Sequence, residues 1–158
     1  MWSFMAATQT LKFKETSIAE SVVLPTITIA VGRGAGLGSR ILLVDDHEVV
    51  RKGIRQMLDR HWSICGEAVN GQQAVEKAVE LKPDLILMDI SMPVLNGLQA
   101  TRKIRQLQIP TKIAILSMHD SGEMAILAKE AGADACLVKT CGTEELLKAV
   151  EALLNAKQ

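Results

Sequence analysis

Residues 85–97 read LILMDISMPVLNG. Four apolar residues, Leu85 to Met88, stop abruptly at Asp89, and Pro93 and Asn96-Gly97 follow within a few positions. A short, unbroken apolar run bounded by turn formers is the pattern of a strand covered on both faces. Four similar runs lie on either side of it: Ile41–Val44, Ile64–Val69, Ile113–Leu116 and Ala135–Val138. The segments between them have helical spacing. Val50, Ile54, Met57 and Leu58 fall on one face of a helix, and Leu146, Val150, Leu153 and Leu154 repeat that spacing near the end of the chain. Gly71, Pro83, Pro110 and Gly132 punctuate the boundaries. Strands alternating with amphipathic helices predict an α/β fold, a doubly wound five-stranded parallel sheet with helices on both faces.

In such sheets ligands bind beyond the carboxyl ends of the strands, near the point where the strand order reverses. The residues there are Asp45 and Asp46 after the first run, Asp89 after the third, Ser117 after the fourth and Lys139 after the fifth. The second run leads only to Asn70 and Gly71. Taken singly, each polar residue is what any turn or helix cap would hold. Taken together they form a chemical set. Three crowded carboxylates repel one another, and a hard divalent cation such as Mg2+ relieves that repulsion. Lys139 supplies a compact positive charge for a phosphoryl oxygen, and Ser117 a small donor. Asp89 is then the nucleophile, since carboxylates form aspartyl phosphates.

The 18 basic and 18 acidic residues give no net charge, which argues against a strongly basic nucleic-acid-binding domain. Cys65, Cys136 and Cys141 have no metal-like spacing and read as free thiols of a reducing, cytoplasmic protein. His47, His61 and His119 are scattered and make no metal motif. Residues 1–39 read differently from residues 40–158: they lack a sustained period and are expected to be a flexible extension ahead of the domain. Within them SVVLPTITIAV, residues 21–31, is shorter than the roughly 20 residues of a membrane span and is broken by Pro25. Glu15 and Glu20 disfavour a signal peptide. Gly32–Gly38 lacks the register of a dinucleotide fingerprint, because Leu37 and Ser39 stand where its third glycine belongs; it reads as a linker.

ILLVDDHEVVRKGI (41–54), DLILMDISMPVLNG (84–97), ILSMHD (115–120) and ADACLVK (133–139), in this order, resemble the receiver domains of bacterial response regulators. The wording is closest to regulators whose partner domain is a DNA-binding helix-turn-helix; no such domain follows in this chain, which reads as a stand-alone receiver or a fragment. The resemblance implies strand order 2-1-3-4-5 and assigns roles. Asp89 accepts phosphate from a histidine kinase, a phosphotransfer protein or a small phosphodonor. Asp46, Asp89 and the main-chain carbonyl of Ser91 hold Mg2+, with Asp45 acting through metal-bound water. Ser117 and Lys139 bind the phosphoryl group. The output partner is left unnamed and a homodimer is left open.

Two positions depart from the family pattern: Cys136 stands where relatives often carry Tyr or Phe, and Thr140 where they often carry a cis proline. These bear on signal output and leave a phosphorylation-independent interaction module as the alternative. An aspartyl-phosphate phosphatase would want an acid two residues after the nucleophile, where this chain has Ser91. A flavin binder would want stacking aromatics, which are only 3% of the chain.

Overall fold

The computed structural model describes residues 38–119 and 121–156. The expectations of a flexible extension and a glycine linker lie outside the described residues, apart from Gly38 and Ser39. Ser39 itself is buried, and its carbonyl accepts a hydrogen bond from the Ser63 amide, so it belongs to the sheet's first contacts.

The elements alternate strictly: β1 (Arg40–Val44), α1 (Glu48–Leu58), β2 (Ser63–Ala68), α2 (Gly71–Leu81), β3 (Leu85–Asp89), α3 (Gly97–Gln106), β4 (Lys112–Ser117), α4 (Gly122–Ala131), β5 (Ala135–Val138) and α5 (Thr143–Asn155). All strand pairs are parallel and the order is β2-β1-β3-β4-β5. The chain reverses direction across the sheet between β1 and β3, so the ends of these two central strands lie side by side, with Val44 in register with Met88.

Side chains alternate across each strand, and both faces are covered, which is why the central runs contain no polar residue. On one face Leu42, Val44, Ile86, Met88, Ile113 and Ile115 pack under α2, α3 and α4 through Ala74, Ala78, Ala100, Ile104 and Ala128. On the other, Ile41, Leu43, Leu85, Leu87, Ala114 and Leu116 meet Leu58 of α1 and Leu146 and Val150 of α5. Alanines on the first face let the helices approach closely. Each large side chain so buried stabilises by about 1.5–3 kcal/mol. Met57 departs from the expected helix face: it is 36% exposed, while Leu58 is fully buried.

Local signals set the helix starts. Asn96 and Gln99 form a reciprocal capping box on α3, Asn70 accepts from the Gln73 amide on α2, and Ser121 from the Met124 amide on α4. Gly132 ends α4 at φ 96°, a left-handed conformation that suits glycine. Helix α1 is different. Its N-cap, His47, offers no side-chain cap, and its amide is instead taken by the Asp45 carboxylate at 2.8 Å.

Candidate functional site

Asp45 is the first residue past β1. Its amide donates to the Ala68 carbonyl at 3.1 Å, and its own carbonyl accepts from Arg51 Nη1 at 2.7 Å. Arg51 is held in turn by Glu67 at 3.0 Å, and Arg55 reaches the other oxygen of Glu67 at 2.7 Å. Burial would raise the Glu67 pKa, but the two guanidiniums overcome it and hold the carboxyl below its usual range. The chain turn after β1 is thus fixed from outside by α1 and β2, and the Asp45 side chain, 2% exposed, points into the sheet edge.

Asp89 closes β3, the central strand, and is 3% exposed. The loop behind it is tight. The Gly97 amide donates to the Ile90 carbonyl at 2.9 Å, and a Cβ on Gly97 would stand 2.0 Å from the Asp89 carbonyl oxygen. Only glycine permits α3 to start this close to the strand end. In the same loop Val94 holds a φ of 67°, a conformation that β-branched residues rarely adopt.

Lys139 joins these two strand ends. Its Nζ lies 2.6 Å from Asp45 Oδ2 and 2.8 Å from Asp89 Oδ1, and its side chain is 8% exposed. Its amide donates to the Ser117 carbonyl at 2.7 Å, which ties the end of β5 to the end of β4. Burial raises the Asp89 pKa, and the neighbouring Asp45 carboxylate adds to the rise; Lys139 and the Ser91 amide oppose it without cancelling it. For Lys139 burial works against the charge, but the bonds and charges of Asp45 and Asp89 prevail and raise its pKa. Removing Lys139 would leave two buried carboxylates without their cation, which is costly.

Asp46 is more open, its side chain 29% exposed, and it touches His47 Nδ1 at 2.8 Å. Carboxylate oxygens of Asp45, Asp46 and Asp89 and a ring nitrogen of His47 all lie within 4.8 Å of one another. The expected constellation therefore assembles at one place: Asp45, Asp46, Asp89 and Lys139. Ser91 is exposed and reaches Asp89 through its amide. Ser117 stands at the same sheet edge, but its hydroxyl is engaged by its own loop, donating to the His119 carbonyl at 2.8 Å and accepting from the His119 amide at 3.1 Å. His119 thus acts here through its main chain, while its side chain is exposed. No peptide among the described residues is cis, so the Lys139–Thr140 bond is trans.

Two site residues escape sequence reasoning. His47 belongs to no metal motif in the sequence, although it directly follows the acidic pair. Arg51 carries no sequence signal, because its target is a main-chain carbonyl that only the folded turn presents.

The model of the response regulator receiver domain family matches residues 41–151. The chain belongs to this family. The receiver is 40% identical over 112 residues to the nitrate/nitrite response regulator protein NarL of Escherichia coli K12, covering 70% of this chain and 52% of that protein. It is 36% identical over 113 residues to the response regulator GacA of Pseudomonas aeruginosa, covering 70% and 53%. The receiver thus spans about half the length of these curated relatives. Among solved structures, the signal receiver domain of the putative response regulator NarL from Mycobacterium tuberculosis superposes with a TM-score of 0.72 at 30% identity, over 75% of this chain and 98% of that one. The response regulator domain of Thermotoga maritima CheB gives 0.69 at 33% identity, over 76% and 98%. The receiver is a signalling domain of the two-component type, with the fold and strand order expected. No helix among the described residues is long and apolar enough to cross a membrane.

Proposed function

We propose that this receiver takes a phosphoryl group on Asp89 from a histidine kinase or phosphotransfer protein and switches a partner or output in response. The observation that carries the reading is the pairing of buried Asp89 with buried Lys139 at 2.8 Å, at the end of the central strand and beside two further carboxylates. An Asp89 carboxylate oxygen attacks the phosphorus of the donor phosphohistidine. The P–N bond breaks, the imidazole leaves, and an acyl phosphate forms. Lys139 is already in place to pair with a phosphoryl oxygen. Ser117 must release the His119 carbonyl before its hydroxyl can donate to the phosphoryl group, and that exchange is the local event that starts the switch. Cys136, in register with Ile115 on β4, is too small to follow it as an aromatic ring would.

The donor set fits Mg2+: three carboxylates gathered, with buried Lys139 sharing the charge of Asp45 and Asp89. Asp46, Asp89 and the Ser91 carbonyl would hold the ion, with Asp45 acting through its water. When bound, Mg2+ supplies positive charge to offset the carboxylates and the phosphoryl oxygens. Each Asp45 oxygen already accepts a bond, one from Lys139 and the other from the His47 amide, whereas the Asp46 carboxylate is the more exposed. Titration calorimetry should accordingly show Asp46→Ala weakening Mg2+ affinity more than Asp45→Ala. The opposite order would reverse the assignment.

The domain boundary is proposed at residues 39–40. A chain beginning at Ser39 keeps the Ser63-to-Ser39 hydrogen bond and the whole sheet. It should give the same circular dichroism and the same rate of phosphate uptake from acetyl phosphate as the full chain. A molten or insoluble product would place residues 1–38 in the core. We place the protein in the cytoplasm, as a signalling module rather than a turnover enzyme. The reading as a whole is tested by incubation with acetyl phosphate and Mg2+: one phosphate is expected per chain, and none would favour a phosphorylation-independent module.

A further inference from the structure

We propose that His47 is itself a ligand of the ion held by this receiver, through Nδ1, and that it shifts the site's preference from Mg2+ toward first-row ions that accept nitrogen. This rests on the metal reading above. The geometry is the first ground. Nδ1 lies 2.8 Å from Asp46 Oδ1 and 3.3 Å from Asp45 Oδ1. In an octahedral site with bonds of roughly 2.1 Å, adjacent ligand atoms stand about 3.0 Å apart and opposite ones about 4.2 Å. The 2.8 Å between Nδ1 and Asp46 Oδ1 is close to the spacing of adjacent ligands, and Asp89 lies in the same group, within 4.8 Å.

The second ground is that the ring is held on a fixed anchor with a free far side. The His47 amide is pinned to Asp45 Oδ1 at 2.8 Å, and its carbonyl accepts from the Arg51 amide at 3.1 Å as α1 begins. At 2.8 Å from Asp46 Oδ1 the ring donates through Nδ1–H, since a carboxylate only accepts; the side chain is 68% exposed, so Nε2 is open to carry the proton instead when an ion takes the place of the Nδ1–H bond. The backbone anchor is therefore set before an ion binds, and the change required is the move of the ring proton from Nδ1 to Nε2. Imidazole nitrogen suits the later first-row divalent ions, and affinity at mixed nitrogen and oxygen sites rises from Mn2+ to Co2+ and Ni2+, whereas Mg2+ prefers oxygen.

Electron spin-echo spectroscopy of the full chain loaded with Mn2+ should show modulation from a directly bound 14N nucleus. His47→Gln, which keeps a polar side chain but no imidazole, should abolish it. Calorimetric titration with Co2+ and with Mg2+ should show the ratio of the two affinities falling roughly tenfold or more in the same variant. Mn2+ bound in purely oxygen surroundings, nitrogen modulation that survives in His47→Gln, or an unchanged ratio would overturn the role of His47 and leave the carboxylate site standing. Failure of the wild-type protein to bind Mn2+ at all would overturn both.

Discussion

Asp89→Asn is expected to abolish phosphate uptake from acetyl phosphate and Mg2+, reducing the 80-dalton gain in intact mass, about the mass of one added phosphoryl group, to background. The amide has the carboxylate's shape, and Lys139 would still be held by Asp45 at 2.6 Å, so the fold should persist. What is lost is the anionic oxygen that attacks phosphorus. Neither neighbour can take over easily. Asp45 spends one oxygen on Lys139 and the other on the His47 amide. Asp46 is more exposed and is not paired with the lysine. Circular dichroism run beside the mass measurement separates lost chemistry from lost structure. A variant that is folded and still gains the full increment would move the acceptor elsewhere.

Gly97→Ala should be among the most damaging single-methyl changes in this protein. The added Cβ would come within 2.0 Å of the Asp89 carbonyl oxygen and 2.9 Å of its carbonyl carbon. Both are backbone atoms of a central strand, so no rotamer can absorb the clash. Either α3 moves out, breaking the 2.9 Å bond from the Gly97 amide to Ile90, or the end of β3 tilts and takes the acceptor with it. Overpacking of this kind costs about 3 kcal/mol. For a chain of this size that lowers the melting temperature by roughly 10 °C. Phosphate uptake should slow as well, because Asp89 loses register with Lys139. Gly142→Ala is the control: nothing lies within 4 Å of the added atom, and at this helix N-cap it should cost about 1 kcal/mol or less. Equal stability of the two variants by urea unfolding would show that the loop after Asp89 is slack.

The fold is legible because burial on both faces leaves an unmistakable mark. LILM, residues 85–88, has no polar interruption, and in the structure every one of those residues is fully buried between two helical layers. Where that mark weakens, the reading drifts. β2 is an edge strand with mixed burial, and its run is placed one residue late at each end. Met57 has helical spacing but sits on the rim of the α1 face, which periodicity alone does not distinguish from its centre.

The site was legible for a different reason: topology carries it. Residues at the ends of parallel strands meet at one sheet edge, so strand order alone brings Asp45, Asp89 and Lys139 together. It does not set the side-chain hydrogen bonds. That Ser117 turns into its own loop depends on the path of residues 117–119, and that Arg51 clamps the Asp45 carbonyl depends on where α1 starts. His47 shows the gap most clearly. Its partners lie one and two residues away, yet only the turn into α1 aims its ring at them.

The central claim is that Asp89 carries the phosphate, and the direct measurement is to mark the acceptor chemically. An acyl phosphate is reduced by borohydride to the alcohol, which converts the phosphorylated aspartate to homoserine. Wild-type protein treated with acetyl phosphate and Mg2+, then reduced and sequenced by tandem mass spectrometry, should carry homoserine at position 89 and aspartate at positions 45 and 46. Homoserine at 45 or 46, or a borohydride-resistant phosphate on a histidine or serine, would contradict the account.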